Sequence, residues 1–243
     1  NVIKNNGVIF GAVHDLSQER LKHKTTEDVD LSALRKSKYV QRYIGDAFRK
    51  VKKYLIDNRE VLFVGTPCQV AGLQSYIGNE YKNLITCDFI CHCVPPMKLL
   101  NDHCSLIEKQ FKKTIVNVDF RPKTNGWSAY QLKCLYSDGS KYEMPSSYDG
   151  YFSAFFKNLS LRRSCYQCNY SNKQHRADLT IADYWGYRRL NPNINDERGL
   201  SLILVNTEKG ESVVKELQNI TLNAIDWIYA EDVFHQRTQE SYN

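Results

Sequence analysis

The sequence lacks the features that mark several common protein classes. Its 243 residues contain no apolar run of about 18 residues, the length that a membrane-spanning helix requires. They contain no zinc-finger spacing, no RNP motif and no arginine-rich arm, so we expect no binding to nucleic acid. Because no Gly-x-Gly-x-x-Gly or Walker sequence is present, a nucleotide or flavin would need a site of an irregular type.

Cysteine is too sparse for a disulfide scaffold, since the chain has only eight cysteines. No secretory signal sequence is recognisable, so we expect a cytoplasmic protein. In a reducing compartment, cysteines serve metal binding or redox chemistry more often than structural disulfides. The cysteines are therefore the first candidates for a functional site, and they stand at positions 68, 87, 91, 93, 104, 134, 165 and 168.

The composition is that of a globular domain. Hydrophobic residues make up 42% of the chain, charged residues make up 25%, and the formal net charge is +6. Basic runs at 49–53 and 109–113 fall on predicted helix faces. Such runs are typical of solvated surface, and the alternative is that they attract an anionic cofactor or substrate. We expect residues 1–243 to form a single domain.

Apolar runs and amphipathic segments alternate along the chain. Val61–Val64 and Asn83–Cys91 read as buried strands, with a helix over Cys68–Ile77 between them. This order predicts a right-handed parallel crossover. Residues 131–136 and 141–144 flank a Ser-Asp-Gly-Ser turn and predict a hairpin. The predicted fold class is α/β, with a mixed, mainly parallel sheet flanked by helices, a β-hairpin insertion and a cysteine-rich loop.

Other segments give weaker but usable signals. We predict further strands over 8–13, 114–120, 178–183 and 200–205, and further helices over 31–34, 43–56, 97–111, 151–159 and 210–217. The polar segment 15–29 is predicted to be irregular.

Three stretches with cysteine stand at predicted strand ends or in a loop. Cys68 follows Gly65-Thr66-Pro67 at a strand-to-helix turn, Cys91 ends an apolar strand, and Cys165-x-x-Cys168 precedes a polar loop. Ligands of parallel sheets gather at the carboxyl ends of the strands. One pair and two single cysteines would suit a four-thiolate site.

Several kinds of chemistry remain open for these cysteines. The pair can bind zinc, hold an iron–sulfur cluster, form a redox disulfide or simply be buried. Cys68 at a helix N-terminus can also be a nucleophile with His92 as its base. Cys93 is ambiguous because it lies two residues after Cys91. The remaining cysteines are expected to be buried and the other histidines structural or on the surface, at Cys87, Cys104, Cys134, His14, His23, His103, His175 and His235.

The motifs together resemble one family. They occur in the family's order, as Gly65-Thr66-Pro67-Cys68-Gln69-Val70-Ala71-Gly72-Leu73, Asp88-Phe89-Ile90-Cys91-His92, Phe120-Arg121-Pro122-Lys123 with Gly126-Trp127, Leu161 to Cys168, and Asp178 to Gly186. Ser37-Lys38-Tyr39-Val40-Gln41 matches a further signature. The chain resembles the beta subunits of coenzyme F(420) hydrogenases and dehydrogenases, a family that includes 7-hydroxymethyl chlorophyll a reductases and bacterial polysaccharide-locus proteins.

This resemblance implies an iron–sulfur flavoprotein that passes electrons between a [4Fe–4S] cluster and FAD, to or from an organic acceptor such as a deazaflavin. A ferredoxin-like donor or a partner subunit would supply or receive the electrons. The implied cluster ligands are Cys68, Cys91, Cys165 and Cys168. The residues expected to border the cofactors or the acceptor are Lys38, Gly65, Thr66, Pro67, Gln69, His92, Arg121 and Lys123. Among them Lys38, Arg121 and Lys123 would offset the charge of thiolates and a diphosphate.

The chain also departs from the family pattern. The family usually has glycine after Cys91-His92, where this chain has Cys93. An N-terminal ferredoxin domain and a glycine- and serine-rich segment are missing, so we expect a fragment of a longer chain. The alternative functions are a zinc-binding structural or interaction domain and a cofactor-free scaffold associated with polysaccharide biosynthesis.

Overall fold

The computed structural model describes residues 2–15, 20–190 and 199–234. The strands are β1 (Val8–Asp15), β2 (Arg20–Thr25), β3 (Arg42–Tyr43), β4 (Val61–Val64), β5 (Leu84–Phe89), β6 (Ile115–Asp119), β7 (Gln131–Tyr136), β8 (Lys141–Pro145), β9 (Leu179–Asp183) and β10 (Ser201–Val205). The helices are α1 (Leu31–Leu34), α2 (Ala47–Ile56), α3 (Pro67–Ile77), α4 (Met97–Phe111), α5 (Gly150–Phe156), α6 (Arg163–Tyr166), α7 (Tyr187–Leu190), α8 (Glu208–Lys215) and α9 (Trp227–Phe234).

A seven-stranded sheet organises the fold, in the order β10-β9-β5-β4-β1-β2-β3. The four central strands β1, β4, β5 and β9 are mutually parallel. Antiparallel strands flank them, because β2 pairs with β1 and β10 pairs with β9. The carboxyl ends of the central strands therefore meet at one edge, where ligands of open parallel sheets usually bind.

The two faces of the sheet differ in how they are covered. On β4, Val61 and Phe63 are fully buried in a core that includes residues of α2 and α3. The alternating residues Leu62 and Val64 are less buried and line a cavity. Side chains of a strand point alternately to opposite faces. One face of the sheet is thus packed by helices, and the other forms part of the cavity.

A second layer closes the other side of this cavity. The three-stranded antiparallel sheet β6-β7-β8 includes the predicted hairpin. Its buried residues Leu132 and Cys134 share a core with Leu100 of α4 and with Phe152 and Phe155 of α5. This aromatic core faces the main sheet across the cavity, because Phe155 both packs in the core and lines the cavity.

The predicted fold class is confirmed, and the differences concern edge elements. The prediction that 15–29 is irregular is wrong for Arg20–Thr25, which forms β2, while residues 16–19 lie outside the described part of the chain. Its inward residues His23 and Thr25 are polar, so the strand lacks the apolar alternation that would have revealed it. The helix predicted to start at residue 43 starts at Ala47, since β3 and the left-handed Gly45 (φ 58°) precede it.

No helix within the described ranges is long and apolar enough to cross a membrane.

Candidate functional site

The turn after β4 presents Cys68 at the start of α3. Pro67 occupies the first turn of the helix, where its missing N–H costs nothing. The Thr66 N–H donates to Oε1 of Gln69 over 3.0 Å, which closes the helix N-terminus. The Thr66 hydroxyl lies 3.1 Å from the Cys68 sulfur. Cys68 itself is exposed, so its thiol is available to a ligand.

Gly65 is required here for close approach. A Cβ at this position would lie 2.9 Å from the Phe63 ring and 3.2 Å from the side chain of Gln69. Its backbone is not among those with positive φ in the described part of the chain. The small residue therefore lets the turn pack directly on the end of β4.

Cys91 follows β5 at the same edge of the sheet. Burial raises the pKa of its thiol to about 11, while the Cys93 N–H and Arg42 act in the opposite direction and the Cys68 and Cys165 thiols add to the rise. The Cys93 N–H donates to the Cys91 sulfur over 3.4 Å. The thiols of Cys68 and Cys165 therefore both lie near that of Cys91.

Cys93 occupies an unusual backbone position. Its φ is 97°, a value that glycine adopts readily and that other residues disfavour. The side chain is buried, and its thiol points to the Cys165 carbonyl at 3.9 Å. Cys93 thus joins the turn after β5 to the cysteine pair through its amide and its thiol. Of the other cysteines expected to be buried, Cys87 and Cys134 are buried and Cys104 is partly exposed.

The cysteine pair lies on a short helix and the loop after it. Cys165 is in α6, where its N–H donates to the Arg162 carbonyl over 2.8 Å, and Cys168 follows the helix. The neighbouring Tyr166 hydroxyl donates to the Asn158 carbonyl over 2.8 Å and so fixes the helix. The Cys168 carbonyl accepts from the Ser171 hydroxyl over 3.0 Å.

A buried histidine–aspartate pair ties this loop to the sheet. Nδ1 of His175 lies 2.8 Å from a carboxylate oxygen of Asp88, and the two side chains are 3% and 0% exposed. The Thr180 hydroxyl donates to the same carboxylate over 2.5 Å. His175 was predicted to be structural or on the surface, and the structure shows a structural contact. Because Asp88 belongs to β5, the loop with the cysteine pair is fixed to the strand that leads to Cys91.

The four predicted ligands do not form a closed single-metal geometry. Within the described residues, no three His, Cys, Asp or Glu side chains are arranged to hold one metal ion. A zinc ion requires sulfurs at about 2.3 Å from the metal, whereas a four-iron cluster accepts ligands that are farther apart. Thiolates are soft ligands that suit both. The donor chemistry of Cys68, Cys91, Cys165 and Cys168 therefore fits an iron–sulfur cluster.

A cavity of about 1120 Å³ lies beside Cys91, between the open face of the sheet and the aromatic core. This volume exceeds the range of about 300–1,000 Å³ that is usual for sites of small ligands. Aromatic side chains form part of its wall, namely Tyr39, Tyr130, Phe155, Phe156 and Trp185. The cavity has room and flat apolar walls for a large planar cofactor.

The predicted cofactor residues separate into two groups. Lys38, His92, Arg121 and Lys123 line the cavity. The other four shape the turn that presents Cys68, and they are Gly65, Thr66, Pro67 and Gln69. The ring of His92 packs against Phe155 with 5.0 Å between the ring centroids.

Arg121 is held by its neighbours at one wall of the cavity. One terminal nitrogen donates to the Asp183 carboxylate, and the other donates to the Trp127 carbonyl over 2.7 Å. The guanidinium also lies over the Tyr130 ring, 4.4 Å from its centroid. Trp127 stacks on Trp185 with 4.2 Å between centroids. Arg121 therefore supports the aromatic wall, and its terminal nitrogens are already paired.

Lys38 lines the cavity in an environment that disfavours its positive charge. Burial lowers its pKa to about 8, and the positive charge of Arg42 contributes to this decrease. Its amino group donates to the Arg35 carbonyl over 2.5 Å. Lys38 can therefore gain or lose a proton near neutral pH at the cavity wall.

Arg42 is a cavity residue that the sequence analysis missed. It lies on β3 and lines the cavity, and its charge interacts with the thiols of Cys91 and Cys68. The available signal was its position directly after the Ser37–Gln41 signature. Trp127 and Trp185 belong to the family motifs, but the sequence alone indicates no role for them.

Comparisons with known proteins agree with this architecture. The sequence model for the C terminus of the coenzyme F420 hydrogenase/dehydrogenase beta subunit matches residues 58–226. A chain of the F420-reducing [NiFe] hydrogenase complex from Methanosarcina barkeri has a similar fold, with a TM-score of 0.51 and 14% sequence identity. The similarity covers 86% of this chain and 65% of that chain. No curated protein sequence matches.

The structural similarity concerns the fold, whereas the sequence match covers most of the chain. It includes the turn at Cys68, the end of β5, the cysteine pair and β9. The protein therefore belongs to the family of coenzyme F(420) hydrogenase/dehydrogenase beta subunits, through their C-terminal region.

Proposed function

We propose that this protein is an iron–sulfur flavoprotein oxidoreductase. Cys68, Cys91, Cys165 and Cys168 hold a [4Fe–4S] cluster, and the cavity beside Cys91 holds FAD. Bound there, the two groups would support electron transfer to or from an organic acceptor such as a deazaflavin. A ferredoxin-like protein or a partner subunit would be the electron-transfer partner of the cluster.

One observation carries this proposal. Cys68 and Cys91 follow neighbouring parallel strands at one edge of the sheet, Cys93 contacts both Cys91 and Cys165, and Cys91 also lines the large cavity. A thiolate centre and a planar cofactor would thus be neighbours. When bound, the cluster supplies single electrons and the flavin supplies conversion between single electrons and a hydride.

The residues around the cavity provide apolar surface, positive charge and a group that can exchange a proton. The aromatic wall braced by Arg121 provides flat apolar surface for a ring system. The basic cavity residues attract an anionic cofactor or acceptor, and they include Lys38, Arg42 and Lys123. With a pKa of about 8, Lys38 can donate or accept a proton at the cavity wall.

Anaerobic reconstitution tests the proposal. The protein is incubated with iron, sulfide and FAD, and the bound iron, sulfide and flavin are then measured. We expect about four irons per chain for a cubane cluster and a loss of most of this iron in Cys91→Ser. Cys104→Ala is the control, because Cys104 does not line the cavity and packs against the aromatic core.

Three results would contradict the proposal. A protein that retains neither iron nor flavin would be a cofactor-free scaffold. One zinc per chain without visible absorption would indicate the zinc-binding domain. Equal iron loss in Cys91→Ser and Cys104→Ala would show that the iron does not depend on the proposed ligand.

A further inference from the structure

Arg42 lies at the cavity wall, near the thiols of Cys91 and Cys68. It belongs to the short edge strand β3, where it pairs with Leu21 of β2. Its guanidinium carbon is 5.1 Å from the centroid of the Phe89 ring, at the end of the strand that leads to Cys91. Arg42 also lines the cavity, together with Cys91. Its side chain is thus near both proposed redox sites.

Within the described residues, the guanidinium of Arg42 forms no ion pair with a carboxylate. Its Nε is buried and has no hydrogen-bond acceptor within the described residues. Burial lowers the pKa of the guanidinium, and the groups that oppose this decrease are the thiols of Cys91 and Cys68. The neighbouring basic groups are Lys38 and His23, and both have a pKa lowered by burial and by Arg42.

His23 adds no second positive charge beside Arg42. Burial, followed by the influence of Arg42, lowers its pKa to about 3, so its ring is neutral near pH 7. Its ring stacks on Phe63 with 5.1 Å between centroids. A guanidinium that is partly buried without a carboxylate is unfavourable for folding. Deprotonated Cys68 and Cys91 would be its oppositely charged partners, and metal binding deprotonates thiols.

We propose that Arg42 compensates the negative charge of the thiolate-bound cluster and thereby raises the reduction potential of the cluster. This inference rests on the proposed function. A reduced cluster carries one more negative charge than an oxidised one, so a fixed cation nearby stabilises the reduced form more. Because Arg42 also borders the cavity, the same positive charge would attract an anionic cofactor or acceptor bound there.

The test is the midpoint potential of the reconstituted cluster in charge variants. Arg42→Gln removes the positive charge and Arg42→Lys retains it. Lys215→Gln is the control, because it removes a positive charge from the exposed helix α8. Each protein is titrated anaerobically with dithionite, the electron donor, and followed by absorption. We expect Arg42→Gln to disfavour reduction about tenfold, a potential lower by about 59 mV. Arg42→Lys should recover most of this shift, and Lys215→Gln should show none.

The outcomes separate this inference from the proposed function. An Arg42→Gln protein with a full cluster and an unchanged potential would overturn the role of Arg42 and leave the proposed function intact. A wild-type protein that takes up no iron would overturn both. If Arg42→Gln cannot retain the cluster, iron content in Arg42→Lys decides. Recovery of the iron supports charge compensation, and iron as low as in Arg42→Gln refutes it.

Discussion

At the scale of single residues, Cys93 shows how the turn after β5 is adapted. Its φ of 97° disfavours any side chain, yet its thiol is buried and reaches the Cys165 carbonyl. The strained backbone aims the Cys93 N–H at the Cys91 sulfur. The turn therefore orients a predicted ligand through the backbone, and the thiol of Cys93 adds a contact to the cysteine pair.

Two substitutions separate backbone strain from the buried thiol. Cys93→Ala and Cys93→Gly both remove the thiol, but only glycine relieves the positive φ. We expect Cys93→Gly to be more stable than Cys93→Ala by about 1 kcal/mol, because an L side chain in the left-handed region costs about that much. Urea denaturation of both variants measures the difference. An alanine variant as stable as the glycine variant would show that the position is unstrained.

The residue scale also limits what the sequence can predict. The four candidate ligands were chosen from their positions at strand ends and in the Cys-x-x-Cys pair, and in the structure Cys68 and Cys165 lie near Cys91. Arg42 was missed, because an arginine in a polar segment has the same local pattern whether it faces solvent or a cavity. Arg121 was identified, but its pairing with Asp183 depends on residues 62 positions apart.

At the scale of elements, the buried pair His175–Asp88 fixes the loop after the cysteine pair to β5. The loop has no helix or strand from Gln167 to Asp178, so few backbone contacts define its position. The chain has a second pair of this kind, because Nε2 of His103 lies 2.9 Å from the buried Asp149 at the start of α5. These two pairs serve different elements and allow a matched comparison.

His175→Ala should loosen the cysteine loop selectively. We expect a loss of stability of about 2 kcal/mol, because a buried carboxylate loses a hydrogen-bond partner. We also expect faster amide exchange over 167–178 and weaker retention of iron after reconstitution. His103→Ala is the control and should destabilise α5 without affecting iron. Exchange rates over 167–178 that match those of the wild type would argue against this anchoring role.

The sequence predicted the central elements well and the edge elements poorly. Val61–Val64 and Met97–Phe111 coincide with β4 and α4, because continuous apolar runs and helical periodicity are local signals. Strands β2 and β3 gave no such signal. β2 has polar inward residues, and β3 has only two residues, which are placed by pairing with β2. Arg42 is on β3, so the element and its functional residue were missed together.

At the scale of the whole molecule, basic residues outnumber acidic ones around the cavity. Its walls include the basic residues Arg35, Lys36, Lys38, Arg42, Arg121 and Lys123. Only one acidic residue, Asp183, lines it within the described ranges, and that residue is paired with Arg121. The formal net charge of +6 has the same sign. The cavity therefore favours anionic ligands.

This distribution predicts salt-dependent binding of the flavin. We expect the affinity for FAD to fall several-fold when sodium chloride is raised, because salt screens the attraction between the diphosphate and the cavity cations. Riboflavin carries the same ring system without the diphosphate, so its affinity should change little. Fluorescence titrations of both ligands at low and high salt provide the comparison. Equal salt dependence for the two would show that the cations do not contact the diphosphate.

The anchoring of the cysteine loop to β5 has a geometric consequence. Cys91 follows β5, and the loop after Cys165 and Cys168 is attached to the same strand through Asp88. The positions of three of the four thiols are therefore set relative to one strand, β5. Cys68 belongs to the neighbouring β4–α3 unit and is exposed. A shift of β4 along β5 would keep these three sulfurs at the same positions relative to one another and would displace only the sulfur of Cys68.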